Sequence, residues 1–156
     1  MLFPEQDENT HYFRRNDIDE VLGTFSEHSF KLDGAEWASV EHYFQASKFA
    51  EQDAAHADAI RSSSSAKQAR KLGRKNRLGM RKDWAAVKRV MMTRAVYTKC
   101  KTYPEVAEAL LATGDARLVE NSQYDYIWGC GRDRRGENLY GKVLMDVRAK
   151  LNEELA

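Results

Sequence analysis

VEHYFQASKF, residues Val40 to Phe49, is an oily segment that nonetheless carries an acid, an amide and an amine at Glu41, Gln45 and Lys48. At about 100° per residue these three positions fall within roughly 60° of one another on a helix, so they form one polar stripe, closely flanked by Phe44. Ser39 reads as the N-cap, which puts Glu41 in the first turn, where the positive end of the helix dipole favours a carboxylate. The row has two readings. It is either the solvated edge of an amphipathic helix or a set of groups facing a pocket.

Working outward, HYFRR (His11 to Arg15) reads as a short strand, and FKLDGAEW (Phe30 to Trp37) as a hairpin turning at Asp33-Gly34. The first helix runs from Val40 to about Glu51, and a short second one from Asp53 to Arg61. Ser62 to Ser65 supply a break and a cap for AKQARKL, with Gly73 as its stop. Asp83 is expected to cap the longest helix before Pro104, whose buried face is read as Val87, Val90, Met91 and Ala95. Pro104 opens PEVAEALLAT and Gly114 closes it, ARLVE (Ala116 to Glu120) is a strand, and LYGKVLMDVRAKLNEEL is the last helix. The class is α+β: a single, predominantly helical domain with a few short strands.

The chain has 156 residues, enough for one domain, taken as 1–156, with a core that needs no disulfide or metal. The opening MLFPEQDENT shows no basic stretch followed by an apolar run, and no segment approaches the ~18 apolar residues of a membrane span, so no membrane role is expected. Cys100 and Cys130 stand alone, which suits free thiols in a reducing compartment and points to the cytoplasm. Four dispersed histidines and two unpaired cysteines argue against a metal site. There is no G-x-S-x-G, no phosphate-loop lysine motif and no dinucleotide fingerprint, which removes the usual hydrolase, NTPase and dinucleotide folds. Lys plus Arg (25) nearly balance Asp plus Glu (24), but between Lys67 and Arg89 only Asp83 offsets a dense run of bases. Such a run suits a phosphate-bearing partner or a solvated basic face.

The glycine-punctuated loop NSQYDYIWGCGRDRRGEN sets Asp125 among the rings of Tyr124, Tyr126 and Trp128. Either Trp128 closes the core and Asp125 makes a turn, or the rings stack on a planar base while the carboxylate meets a sugar. Trp84, beside the basic run, offers a second ring.

Four segments, EWASVEHYFQASKF, KLGRKNRLGMRKDWAAVK, LLATGDARLVE and YDYIWGCGRDRRGENLYGKVLMDVR, resemble in that order the NADAR family, whose YbiA-like members are N-glycosidases. The resemblance spans about residues 13 to 151 and includes V-E-H-Y-F-Q-A-x-K-F, R-x-D-W, D-x-x-W-G-x-G and G-x-N-x-x-G-x-x-L-M. It implies cleavage of the bond between a ribose carbon and a base nitrogen. The substrate class implied is a phosphorylated intermediate of the riboflavin pathway or, in some members, ADP-ribose carried on guanine in nucleic acid. One departure stands out: the family's G-x-F-S-N-F reads here Gly23-Thr24-Phe25-Ser26-Glu27-His28, with acidic Glu27 for asparagine.

On this resemblance Glu41, Lys48 and Asp125 are the candidate catalytic residues. Glu41 would stabilise an oxocarbenium-like ribosyl cation and deprotonate water. Lys48 would either anchor a phosphate or hydroxyl as an ammonium or attack the opened sugar as an amine, the second requiring a lowered pKa. Asp125 would bind ribose hydroxyls or assist proton transfer. Trp84, Trp128, Gly129, Phe25 and Gln45 are candidates for binding substrate, and Arg14, with Arg74 or Arg77 behind it, for clamping phosphate. No metal or organic cofactor is needed. The rival from another class is a non-catalytic nucleic-acid-binding module built on the basic run and Trp84, which leaves the Glu41, Gln45, Lys48 row without a purpose.

Overall fold

The computed structural model describes residues 9–156, so the reading of MLFPEQDENT falls largely outside it. The first strand, β1 (Thr10–Phe13), pairs in parallel with the last, β4 (Arg117–Glu120), in the register Thr10↔Arg117 to Phe13↔Glu120. It is shorter than the expected His11–Arg15, because beyond Phe13 the Arg15 N–H donates to the Glu120 carboxylate (2.9 Å) instead of extending the ladder. The hairpin of β2 (Phe30–Leu32) and β3 (Ala35–Trp37) turns where the sequence places it. Asp33 (φ 53°) and Gly34 (φ 77°) both take the left-handed conformation that a tight two-residue turn requires.

Ser39 caps α1 (Val40–Ser47), its Oγ accepting from the His42 N–H at 3.2 Å. The helix stops four residues short of Glu51, because the backbone tightens to three-residue bonds, Lys48 N–H to Gln45 O and Phe49 N–H to Ala46 O. Next come α2 (Ala54–Arg61), capped by Asp53, and α3 (Ala66–Gly73), capped by Ser65. Gly73 is the last helical residue of α3 and not its left-handed stop. A Cβ there would lie 1.9 Å from the Gln45 side-chain oxygen, so close packing demands the glycine.

The longest helix, α4 (Trp84–Thr102), corrects two expectations. Asp83 occupies the cap position, but its carboxylate makes no capping bond; it pairs with the Arg81 guanidinium at 2.6 and 3.0 Å. The buried face is Met92, Ala95, Val96, Lys99 and Cys100, whereas Val90 is exposed. Because α4 lies between α1 and α6 (Leu139–Leu155), its inward stripe is centred on Met92, and a residue two positions away points to the opposite side. Pro104 opens α5 (Pro104–Leu111) as expected.

Around α1 and α6 the core gathers Phe13, Phe30, Phe44, Met92, Val96, Leu118, Tyr140 and Leu144, with a satellite of Phe49, Ala57, Ile60 and Ala69 under α2 and α3. Asn138, buried in the left-handed region (φ 52°), ties the two ends of the architecture together. Its amide donates to Leu118 O (2.9 Å) and accepts from the Glu120 N–H (2.8 Å), fixing β4 against the start of α6. No described helix is long and apolar enough to cross a membrane.

Replacing Asn138 by Ala removes both bonds and puts a less tolerant residue at positive φ, so the variant is expected to lose about 2–4 kcal/mol of stability. Urea unfolding at neutral pH measures the loss; a midpoint equal to that of the parent chain would contradict the bridging role.

Candidate active site

Every residue of α1 is buried, so the polar row on it is not a solvated edge: Glu41 is 2 % exposed and Gln45 5 %. The chain holds Glu41 from three directions. Its N–H donates to Thr24 O (3.0 Å), the Gln45 amide donates to its carboxylate (2.8 Å), and the Arg70 guanidinium reaches both carboxylate oxygens at 3.0 and 3.4 Å. Burial, the largest influence, would raise the carboxyl pKa. The Arg70 charge and the hydrogen bonds from Arg70, Gln45 and Thr24 together outweigh it and hold the group below the usual carboxylate range. The site therefore keeps an ionised carboxylate in a dry place.

Lys48 follows at the end of α1, its ammonium donating to Gly73 O (3.3 Å) and lying 5.8 Å from the centre of the Phe44 ring. Its pKa falls to about 8, mainly through burial, with Arg74 and Arg70 adding like-charge repulsion and Glu41 opposing them. Lys48 lines a cavity of about 610 Å³ together with Phe44, Trp84 and Trp128. Phe44 meets both tryptophans at ring separations of 5.1 Å, giving an aromatic wall, and Arg77, Lys82 and Lys88 add basic groups to the lining.

A second cavity, about 280 Å³, is lined by Arg14, Arg15, Arg70, Arg74, Tyr124 and Asp125. Here Asp125 is occupied on both oxygens. One accepts from the N–H groups of Ile127 (3.0 Å) and Trp128 (2.8 Å), making the turn, and the other from Arg15 (2.6 Å). Its pKa is lowered: burial would raise it, but Arg15 and the two backbone donors prevail. Arg15 in turn holds the fully buried Glu120 at 2.8 Å. Arg14 lies exposed at the rim.

Phe25 lies under the Arg70 guanidinium, 4.5 Å from ring centre to charge, and with Glu27, Ser39, His42 and Lys67 lines a separate recess of about 340 Å³. Gly129 lines none of these cavities. It is buried beneath the loop, where a Cβ would lie 2.9 Å from the Glu120 carboxylate, so its place is structural.

Sequence reasoning missed Arg70, Arg15, Glu120 and Thr24. Arg70 was one base in a run of ten, and nothing in AKQARKL distinguishes the member that turns inward. Arg14 and Arg15 differ by one position, hence by which side of an extended chain they leave. Among the described residues, no group of three or more His, Cys, Asp or Glu side chains is placed to hold a metal ion.

Comparison with known proteins agrees with this architecture. The NADAR domain family matches residues 2–152. An N-glycosidase of Nostoc punctiforme is 42 % identical over 136 residues, covering 86 % of this chain and 87 % of its own. The Escherichia coli N-glycosidase YbiA is 36 % identical over 146 residues, 94 % of this chain and 90 % of its own. The NMR structure of YbiA superimposes with a TM-score of 0.81 at 33 % identity, covering 96 % of this chain and 89 % of that one. A riboflavin biosynthesis protein of Vibrio vulnificus is 37 % identical over 153 residues, which are 98 % of this chain but 39 % of that longer protein. The fold and these relatives define an enzyme that cleaves N-glycosyl bonds. The chain belongs to the NADAR family.

Because the folded pKa of Glu41 lies below its unfolded value, its ionised form contributes stability that is complete above the unfolded pKa and lost as pH falls through the folded one. Arg70→Met leaves that charge buried without its partner, which is expected to cost about 3–5 kcal/mol at neutral pH. The difference from the parent chain should shrink as pH drops through the carboxylate range and Glu41 protonates. Urea unfolding at a series of pH values checks this, and a pH-independent difference would contradict it.

Proposed function

We propose that this N-glycosidase hydrolyses the bond between ribose and base in ribosylamino-pyrimidine 5′-phosphates of the riboflavin pathway, releasing ribose 5-phosphate. The observation that carries the reading is an ionised Glu41 buried in α1, seven residues before an amine of lowered pKa at Lys48, which follows directly on that helix. The printed name of the Vibrio relative supports the pathway. The aromatic wall of Phe44, Trp84 and Trp128 suits a planar base, and Arg14 and Arg74 suit a phosphate.

Ring opening breaks the bond from the sugar carbon C1 to the ring oxygen, which takes up a proton, and leaves an iminium between C1 and the base nitrogen. The unprotonated Lys48 amine adds to C1. The base nitrogen then accepts a proton and departs, leaving an imine between Lys48 and the sugar that water hydrolyses to ribose 5-phosphate and free lysine. Glu41 acts chiefly through its charge, since a carboxyl of depressed pKa is a weak proton acceptor but a strong partner for positive charge at C1. Asp125 works through Arg15, whose guanidinium it orients.

Incubation with the pathway intermediates and, separately, with ADP-ribosylated guanine in DNA should release free base and ribose 5-phosphate, identified by mass, from the former. Release of ADP-ribose from guanine with no action on the intermediates would overturn the substrate assignment. Glu41→Gln should keep the fold and lower turnover by at least about a hundredfold.

Lys48 leaves a chemical trace. Borohydride added during turnover should fix a sugar adduct on the peptide containing Lys48, and Lys48→Arg should be inactive because guanidinium stays protonated. The rate should climb with pH and level off above about 8, where the amine is neutral. A purely electrostatic anchor would instead lose activity above that pH, and active Lys48→Arg without any adduct would rule out the covalent step.

A further inference from the structure

We propose that Lys99 is a positioning residue of the N-glycosidase, its buried ammonium fixing the Val21–Ser26 loop that holds Glu41 and Arg70 in their working places. The inference rests on the reading of Glu41 given above. Lys99 projects from the core face of α4 and is 3 % exposed. All three of its hydrogen bonds go to that one loop, 73 to 78 residues away in sequence: to Val21 O, to Gly23 O (3.0 Å) and to the Ser26 hydroxyl (2.6 Å). Each acceptor is neutral, and among the described residues no carboxylate forms an ion pair with the charge.

Such a cation is a poor choice for stability alone. Burial pushes its pKa down to about 8, with Cys100 and Glu20 resisting only weakly, so the interior disfavours the very charge the loop requires. An apolar side chain would fill the space without that cost but would leave two carbonyls and a hydroxyl without this donor. What the ammonium supplies is three bonds from a single point, and they bracket Thr24 and Phe25 on both sides.

Those two residues are the loop's link to the chemistry. Thr24 O accepts the Glu41 N–H (3.0 Å), and the buried Thr24 hydroxyl lies between Arg15 O (3.3 Å) and the Glu41 carboxylate, whose pKa it helps lower. Phe25 supports the Arg70 guanidinium from below. The loop has other ties: Tyr140 donates to Leu22 O (2.6 Å), the Ser26 hydroxyl meets His28 Nδ1 (2.9 Å), and Arg15 O accepts the N–H groups of Thr24 (2.8 Å) and Phe25 (3.3 Å). Gly23 presses so close to Arg15 O that a Cβ would come within 2.6 Å. Removing Lys99 therefore releases Gly23 and Ser26 on either side of Thr24 and Phe25, which are left with only their bonds to Arg15 and Glu41 to hold them in place. A shift there of the order of 1 Å is enough to cost roughly a hundredfold in rate.

The test compares Lys99→Met, Thr24→Val and the double variant in steady-state turnover, with 4-fluorophenylalanine incorporated at Phe25 as a fluorine NMR probe. Lys99→Met should lower kcat roughly ten- to a hundredfold with KM little changed, and the double variant should be no slower than the slower single one, because both act through the same contact. The fluorine resonance should shift or broaden in Lys99→Met well below its melting temperature. Wild-type kcat, an unchanged fluorine signal, or losses that multiply in the double variant would overturn the proposal. If Lys99→Met does not fold, Ser26→Ala removes one of the three acceptors and should give a smaller drop in kcat with the same fluorine response; no change in either overturns it. Should Glu41→Gln keep full turnover, the reading of Glu41 falls, and the fluorine signal still decides whether Lys99 holds the loop.

Discussion

A carboxylate stays charged inside a protein only where something repays its lost hydration, and in this fold that something is the contact between α1 and α3. Glu41 enters the interior because Arg70 follows it there from the next helix but one, and because Gln45, one turn on, gives it an amide donor. The close approach of the two helices depends on Gly73, since any side chain at that position would displace Gln45. Much of the site follows from this. Arg70 carries Phe25 with it, Arg70 and Arg74 depress the Lys48 pKa, and Lys48 binds the carbonyl of the same Gly73.

Elements whose cause is local were legible in the sequence. The Asp33-Gly34 turn, the Ser39 and Ser65 caps and Pro104 at the start of α5 all follow from residues within one turn of the feature they determine. Where the cause is distant, the reading drifted. Val90 was placed inside because the helix periodicity of α4 is weak, and its inward face is set by what α1 and α6 press upon it. Asp83 looked like a cap but is claimed by Arg81, a preference that no propensity scale contains. The polar row on α1 was legible as a row. That it faces inward was not, for burial is decided by the partner helix.

The loop from Asn121 to Asn138 shows the same division at the level of single atoms. Asp125 offered two readings, turn or chemistry; its Oδ1 shapes the turn and its Oδ2 pairs with Arg15. Arg15 reaches the cavity where its neighbour Arg14 stays at the rim, because Glu120 on the paired strand waits on that side of the chain. Two charged pairs thus meet at the same cavity, Arg70 bringing its bond to Glu41 and Arg15 its bond to Asp125.

The parallel pairing of β1 with β4 has a consequence for the life of the chain during synthesis. Phe13 must wait for Glu120, and the bridge from Asn138 comes later still, so Arg15 has no carboxylate partner until more than a hundred further residues have been added. At roughly 5–20 residues per second this is an interval of about 5–20 s. Throughout it the emerging polypeptide already carries Glu41 and Lys48, yet lacks the closing strand and final helix against which α4 packs. The cavity beside Lys48 is thereby completed only when nearly the whole domain has left the ribosome, because Ile127 and Trp128, which line it, come late in the chain.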